Sequence, residues 1–98
     1  MVYRVELTNR AIRDMARLYE AINARSSRAA SDWFNSLETA ILALESQPNR
    51  HPTVPDRTGL RQILHPSRSY VYHVIFKIDD RTQTVNVLHI RHSSQKPF

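Results

Sequence analysis

No cysteine occurs in the chain, which excludes disulfides, thiolate nucleophiles and cysteine-based zinc sites together and suits a reducing cytoplasm. Long apolar runs are missing too. No stretch of 18 apolar residues exists, and the start, Met1 to Glu6, carries no apolar leader core, so membrane spanning and secretion are not expected. There is no internal repeat, no low-complexity tract and no linker long enough to divide the chain into domains. At 98 residues and 41% hydrophobic content, residues 1–98 fit a single domain with a modest core and no deep cavity for a cofactor. Any site is therefore expected to be a surface groove.

Positive charge is what the chain has in excess. Lys and Arg number 14 against 9 Asp and Glu, for a formal charge of +5. Twelve of those cations are Arg, and only Lys77 and Lys96 are Lys. The guanidinium is a planar fork of donors matched to phosphate and carboxylate, so this balance points to acidic partners. Five histidines are present, at 51, 65, 73, 89 and 92, but none sits in a short ligand motif or an HxxxH helix. Neither a metal nor any other cofactor is expected.

The apolar pattern changes period along the chain. Tyr3, Val5 and Leu7 alternate with Arg4 and Glu6, which predicts a strand over 2–7. From Thr8 the spacing becomes helical: Ile12, Met15, Leu18, Tyr19 and Ile22 form one stripe, with Thr8 or Asn9 as cap. Ser26-Ser27 starts a second helix, whose stripe of Ala30, Trp33, Phe34, Leu37, Ala40, Ile41 and Leu44 runs until Pro48. Residues 48–59 hold three prolines and the one glycine and read as a loop. Strand-like runs follow at 60–65, 70–78 and 84–91, separated by 66–69 and by a turn at Asp79-Asp80. The expectation is an α+β fold of order β-α-α-β-β-β, an antiparallel sheet packed on a helical hairpin. Trp33 and Phe34, on the apolar stripe, are expected in the core.

Side chains alternate across a strand, so each run divides into two faces. Leu60, Gln62 and Leu64 form the more apolar set of the second strand, which sends Arg61, Ile63 and His65 to the open face. In the third strand Tyr70, Tyr72, Val74, Phe76 and Ile78 turn inward and His73 and Lys77 outward. In the last, Leu88 and Ile90 share a face with Asn86, and His89 and Arg91 share the opposite one with Val85 and Val87. The result is a candidate basic groove of Arg61, His65, His73, Lys77, His89 and Arg91, with His92 just beyond. Arginines around a phosphate and a histidine to move protons near neutral pH are enough for metal-free phosphodiester cleavage. The same residues could instead solvate an exposed sheet or bind an acidic protein.

Particular residues add to the element order. Leu7-Thr8 with Ala11 and Asp14-Met15, then Gly59-Leu60-Arg61, the run Tyr70 to Asp79, and Val85 to His92 together give the chain a pattern that resembles the RelE/ParE toxins of type II toxin–antitoxin systems, known also as plasmid stabilisation proteins. A RelE-like member implies ribosome-dependent mRNA cleavage, in which the 2′-hydroxyl attacks phosphorus. Arg61 and Arg91 would then stabilise the developing charge, His92 or His89 would carry the proton, and Arg57, His65, His73, Lys77 and Lys96 would hold the RNA. The Lys pair and terminal Tyr of some RelE-like ribonucleases have no clear counterpart in this chain. A ParE-like member implies inhibition of DNA gyrase with no hydrolysis, and Gly59-Leu60-Arg61 with Val87-Leu88-His89 carries that side of the resemblance. Either implies a cognate antitoxin, expected to be acidic. The ribonuclease ranks first on the sequence, the gyrase inhibitor second, and an inactive antitoxin-binding module third.

Overall fold

A computed structural model describes residues 2–68 and 70–93. The elements are β1 (Arg4–Leu7), α1 (Asn9–Ala21), α2 (Arg28–Leu42), β2 (Leu60–Pro66), β3 (Val71–Asp79) and β4 (Thr84–His92), with short 3-10 turns at Ala43–Glu45 and Pro48–Arg50. Thr8 caps α1 by accepting the Ala11 N–H at 3.1 Å, and Ser27 caps α2 by accepting that of Ala30 at 3.2 Å. The second helix stops short of Pro48. Its last turns tighten to 3-10 geometry, and Gln47 takes a left-handed φ of 53° before the proline. Asp79 Oδ1 accepts the Arg81 and Thr82 amides, so the Asp79-Asp80 pair builds the β3–β4 turn as expected. No helix among the described residues is long and apolar enough to cross a membrane.

The sheet order is β1-β4-β3-β2. β2, β3 and β4 form the expected antiparallel meander, but β1 pairs with β4 in parallel, with Leu7 opposite Val87, so the sheet is mixed. The reason is the hairpin. Two helices and a long return separate β1 from its partner, and such a crossover can bring strands together in parallel where a tight turn cannot. β1 covers only the first half of β4. Beyond it the edge is closed by α1: Thr8 Oγ1 donates to the Leu88 carbonyl at 2.7 Å, and Asp14 Oδ2 accepts the Ile90 N–H at 3.0 Å.

The core lies between the helical hairpin and one face of the sheet. Leu18, Phe34, Leu37, Ile41 and Leu44 meet Ile63, Tyr72, Val74, Phe76, Val85, Val87 and Ile90. Tyr19 and Phe34 join the two helices edge to face at 5.1 Å. Phe34 is buried as expected, whereas Trp33 is only half-buried, its indole N–H donating to the Pro66 carbonyl at 2.8 Å.

Candidate functional site

Opposed residues in an antiparallel pair share a face, and the register divides the predicted groove in two. Arg61 pairs with Phe76, Ile63 with Val74 and His65 with Tyr72, so all three lie on the helix side of β2. Gln62, opposite Ile75, and Leu64, opposite His73, take the other face. The expectation for β2 is thus reversed: Arg61 and His65 are not on the open face. Two leucines outweighed one isoleucine in the sequence pattern, yet Leu64 stands 49% exposed and Ile63 is in the core. Arg61 and His65 reach the rim of the core because their polar ends are satisfied there. Arg61 Nη1 donates to the His51 carbonyl at 2.7 Å, and His65 Nε2 shares a hydrogen bond with Ser36 of α2 at 3.0 Å.

β4 holds an irregularity that strict alternation hides. A register shift opposite Ile75 and Phe76 makes Leu88 the extra residue of a β-bulge. Val85, Val87 and Ile90 all reach the core as a result, which two-residue alternation forbids, while His89 and Arg91 take the second face as expected. His92 pairs with Tyr72 and lies on the helix side, stacked on Tyr70 at 4.5 Å.

On the second face, His73 and Arg91 are register partners. His73 Nδ1 donates to Gln62 Oε1 at 2.9 Å, which leaves Nε2 of the neutral ring as the acceptor. The loop after α2 completes the site. Pro52 accepts the Gln62 amide, Thr53 bridges to Arg61, and residues 54–57 then turn beside His73 and Arg91 to enclose a cleft of about 460 Å³. Arg57 lies in its wall. Gly59 closes the loop at φ 83°, a conformation that glycine adopts at little cost. Burial lowers the His73 pKa from the usual imidazole value, and Arg91 lowers it further. His89 lies on the same face but is only 4% exposed. Burial, then Arg10, lowers its pKa, Asp14 opposes the shift, and Arg91 adds to it. Among the described residues no three His, Asp or Glu side chains are grouped to hold a metal.

The basic cleft thus lies on the outer face of the meander, across the sheet from the helical hairpin. A family model described as the ParE toxin of type II toxin–antitoxin systems, parDE, matches residues 5–97. The chain belongs to this family. Among solved structures, the toxin is similar to the chromosomal ParDE system of Pseudomonas aeruginosa, with a TM-score of 0.71 and 14% identity over 93% of this chain and 96% of that one. It is also similar to a mutant Escherichia coli RelE toxin in the free state, with a TM-score of 0.68 and 15% identity over 96% of this chain and 86% of that one. A third likeness is to the RelBE2 toxin–antitoxin complex of Mycobacterium tuberculosis, with a TM-score of 0.62 and 25% identity over 97% of this chain and 95% of that one. No curated protein sequence matches significantly. The first two likenesses show a shared fold and, at such identity, nothing of the chemistry.

Of the residues singled out in the sequence, the structure of the toxin brings His73, Arg91 and Arg57 together. Lys77 shares their face of the sheet, opposite Leu60 and Asn86, and His89 lies beneath the surface opposite Ile75. Arg61, His65 and His92 are on the other side. Lys96 lies outside the described residues. Sequence reasoning missed Gln62, which orients His73, and Asp14, which pins the strand that carries Arg91. A polar residue between two leucines was the available signal for Gln62. Asp14 belongs to the family pattern, but its role is not legible locally because its partner is 76 residues away.

Proposed function

We propose that this toxin arrests growth by binding a macromolecular target, DNA gyrase, without cleaving RNA, and that an acidic antitoxin neutralises it. The observation that carries the reading is the separation of Arg61 from Arg91. The two guanidiniums expected around one phosphate lie on opposite faces, and Arg61 is engaged by the His51 carbonyl. Within the cleft His73 is the one histidine beside Arg91, His92 being on the helix side, and cleavage by general acid and base needs two such groups across the phosphate. A binding protein needs neither, and the match to the ParE family supports the gyrase side of the resemblance. The pairing of toxin with antitoxin in the M. tuberculosis complex supports a neutralising partner here.

Purified toxin is expected to inhibit DNA supercoiling by gyrase and to leave mRNA whole in a translating ribosome reaction. Full supercoiling at saturating toxin would refute the reading. One observation favours the ribonuclease as the second reading: a guanidinium and an imidazole share the cleft. Ribosome-dependent mRNA cleavage that disappears in His73→Ala would establish it.

A further inference from the structure

Along the seam between α1 and β4 the surface carries a row of arginines that the cleft does not use. Arg10, Arg13 and Arg17 follow one another at three- and four-residue spacing, so they share one side of α1, and all three are exposed. From Arg10 to Arg17 the row runs about 10 Å along the helix. Arg91 carries it onto the sheet, because Arg91 lines one cavity with Arg17 and also lines the cleft. Arg10 lies on the same seam, where it and Arg91 both act on the His89 ring. The row disfavours its own helix. A helix dipole favours an acid in the first turn, yet α1 has none there and carries Arg10 instead. Like charges at this spacing also repel along the helix. Such a row points to an anion that the isolated chain does not hold.

We infer that this row, Arg10, Arg13, Arg17 and Arg91, grips the sugar–phosphate backbone of duplex DNA without reading its sequence. Guanidinium forks suit phosphate oxygens, and backbone contacts of this kind hold a duplex by charge alone. Among the described residues the ion pairs are Arg4–Glu6 and Arg25–Glu20, so no carboxylate pairs with Arg10, Arg13 or Arg17. Asp14, the acid between them in sequence, is turned to the Ile90 amide. Asp56 lines the cleft beyond Arg91, and the row ends there. A single strand needs open ring faces on which its bases stack, whereas the one ring of α1, Tyr19, is turned to Phe34 and the core. A protein segment needs apolar anchors. The large exposed apolar side chain of α1, Ile12, stands roughly 100° or more round the helix from each of the three arginines. The inference rests on the proposed function only for the choice of DNA as the duplex, because gyrase works on DNA.

The test is titration of a short labelled DNA duplex with the full chain, followed by fluorescence anisotropy over a series of salt concentrations. Two duplexes of unrelated sequence should bind alike. Four phosphate contacts predict a log–log salt slope of about −3.6, a loss of roughly 100-fold in affinity between about 50 and about 200 mM salt. The triple variant Arg10→Gln, Arg13→Gln, Arg17→Gln changes exposed positions only. It should bind about tenfold or more weakly and flatten the slope by about 3, each single change removing about 1. Its Tm should equal or exceed the parent's, because the row disfavours its helix. The variant Arg28→Gln, Arg50→Gln, Arg81→Gln makes the same change in charge at exposed positions off the row and should keep the parent slope. Absence of binding at about 50 mM salt, an unchanged slope in the first variant, or an equal loss in the second would overturn the inference. So would tighter binding of the single strand, of an RNA duplex of the same sequence, or of polyglutamate. Gyrase is not present in this titration, which separates the inference from the proposed function. A toxin that binds the duplex but leaves supercoiling untouched would refute only the target, and one that inhibits supercoiling without binding the duplex would refute only the inference.

Discussion

Replacing Asp14 tests how α1 holds the strand that carries Arg91. β1 ends at Leu7, so the Ile90 N–H on the uncovered edge of β4 has the Asp14 carboxylate as its partner, at 3.0 Å, and Ile90 itself is buried. A hydrogen bond to a charged acceptor contributes about 1.5–3 kcal/mol, and stranding its donor costs a similar amount, so Asp14→Ala is expected to cost about 2 kcal/mol. In a domain of this size, each kcal/mol lowers Tm by roughly 4–8 °C, which makes the expected fall roughly 8–16 °C. Asp14→Asn keeps an acceptor oxygen and should cost under about 1 kcal/mol. Urea denaturation of the three proteins measures the difference, provided that the slope of the transition is unchanged. Hydrogen exchange at the Ile90 amide locates it. The Asp14 charge also raises the His89 pKa, so both variants should lower that pKa further, a shift that NMR titration of the ring would detect. If Asp14→Ala matches the parent within about 0.5 kcal/mol, below what the loss of such a bond explains, the edge of β4 is held by something else.

Mild acid should weaken the fold through its histidines. Burial is the leading cause of lowered pKa values at His51, His65, His73 and His89. The unfolded chain therefore takes up protons at the ordinary imidazole pKa of 6.5 while the native one resists, and stability is lost as pH falls through that value toward the lower native ones. Thermal melts from about pH 8 to about pH 5 should show Tm falling, and His89→Gln should flatten the curve. Phe76→Ala, at a fully buried position beneath the hairpin, should cost about 3–5 kcal/mol by chemical denaturation. Ser27→Ala, which removes the α2 cap, should cost about 1 kcal/mol.

Local rules carried the sequence reading as far as local rules apply. Thr8 and Ser27 announce the helix starts because each satisfies an amide within its own first turn. The alternation from Tyr72 to Ile78 places His73 and Lys77 on the outer face, because a regular strand repeats every two residues and the inner set is strongly apolar. Each of these decisions involves residues a few positions apart, so the sequence by itself determined the element order, the hairpin and the character of the third strand. What the tertiary structure decided involves distant partners. β1 joins β4 in parallel across 80 residues, and Asp14 reaches Ile90 across 76. The bulge at Leu88 resets the alternation that sequence periodicity assumes. β2 turned out to be the strand whose two faces are nearly balanced in polarity, and there pairing with β3 overruled composition. That pairing sent Arg61 to the helix side and left Gln62, His73 and Arg91 to make the cleft, because burying Ile63 beside Val74 fixes where every neighbour on the strand must point.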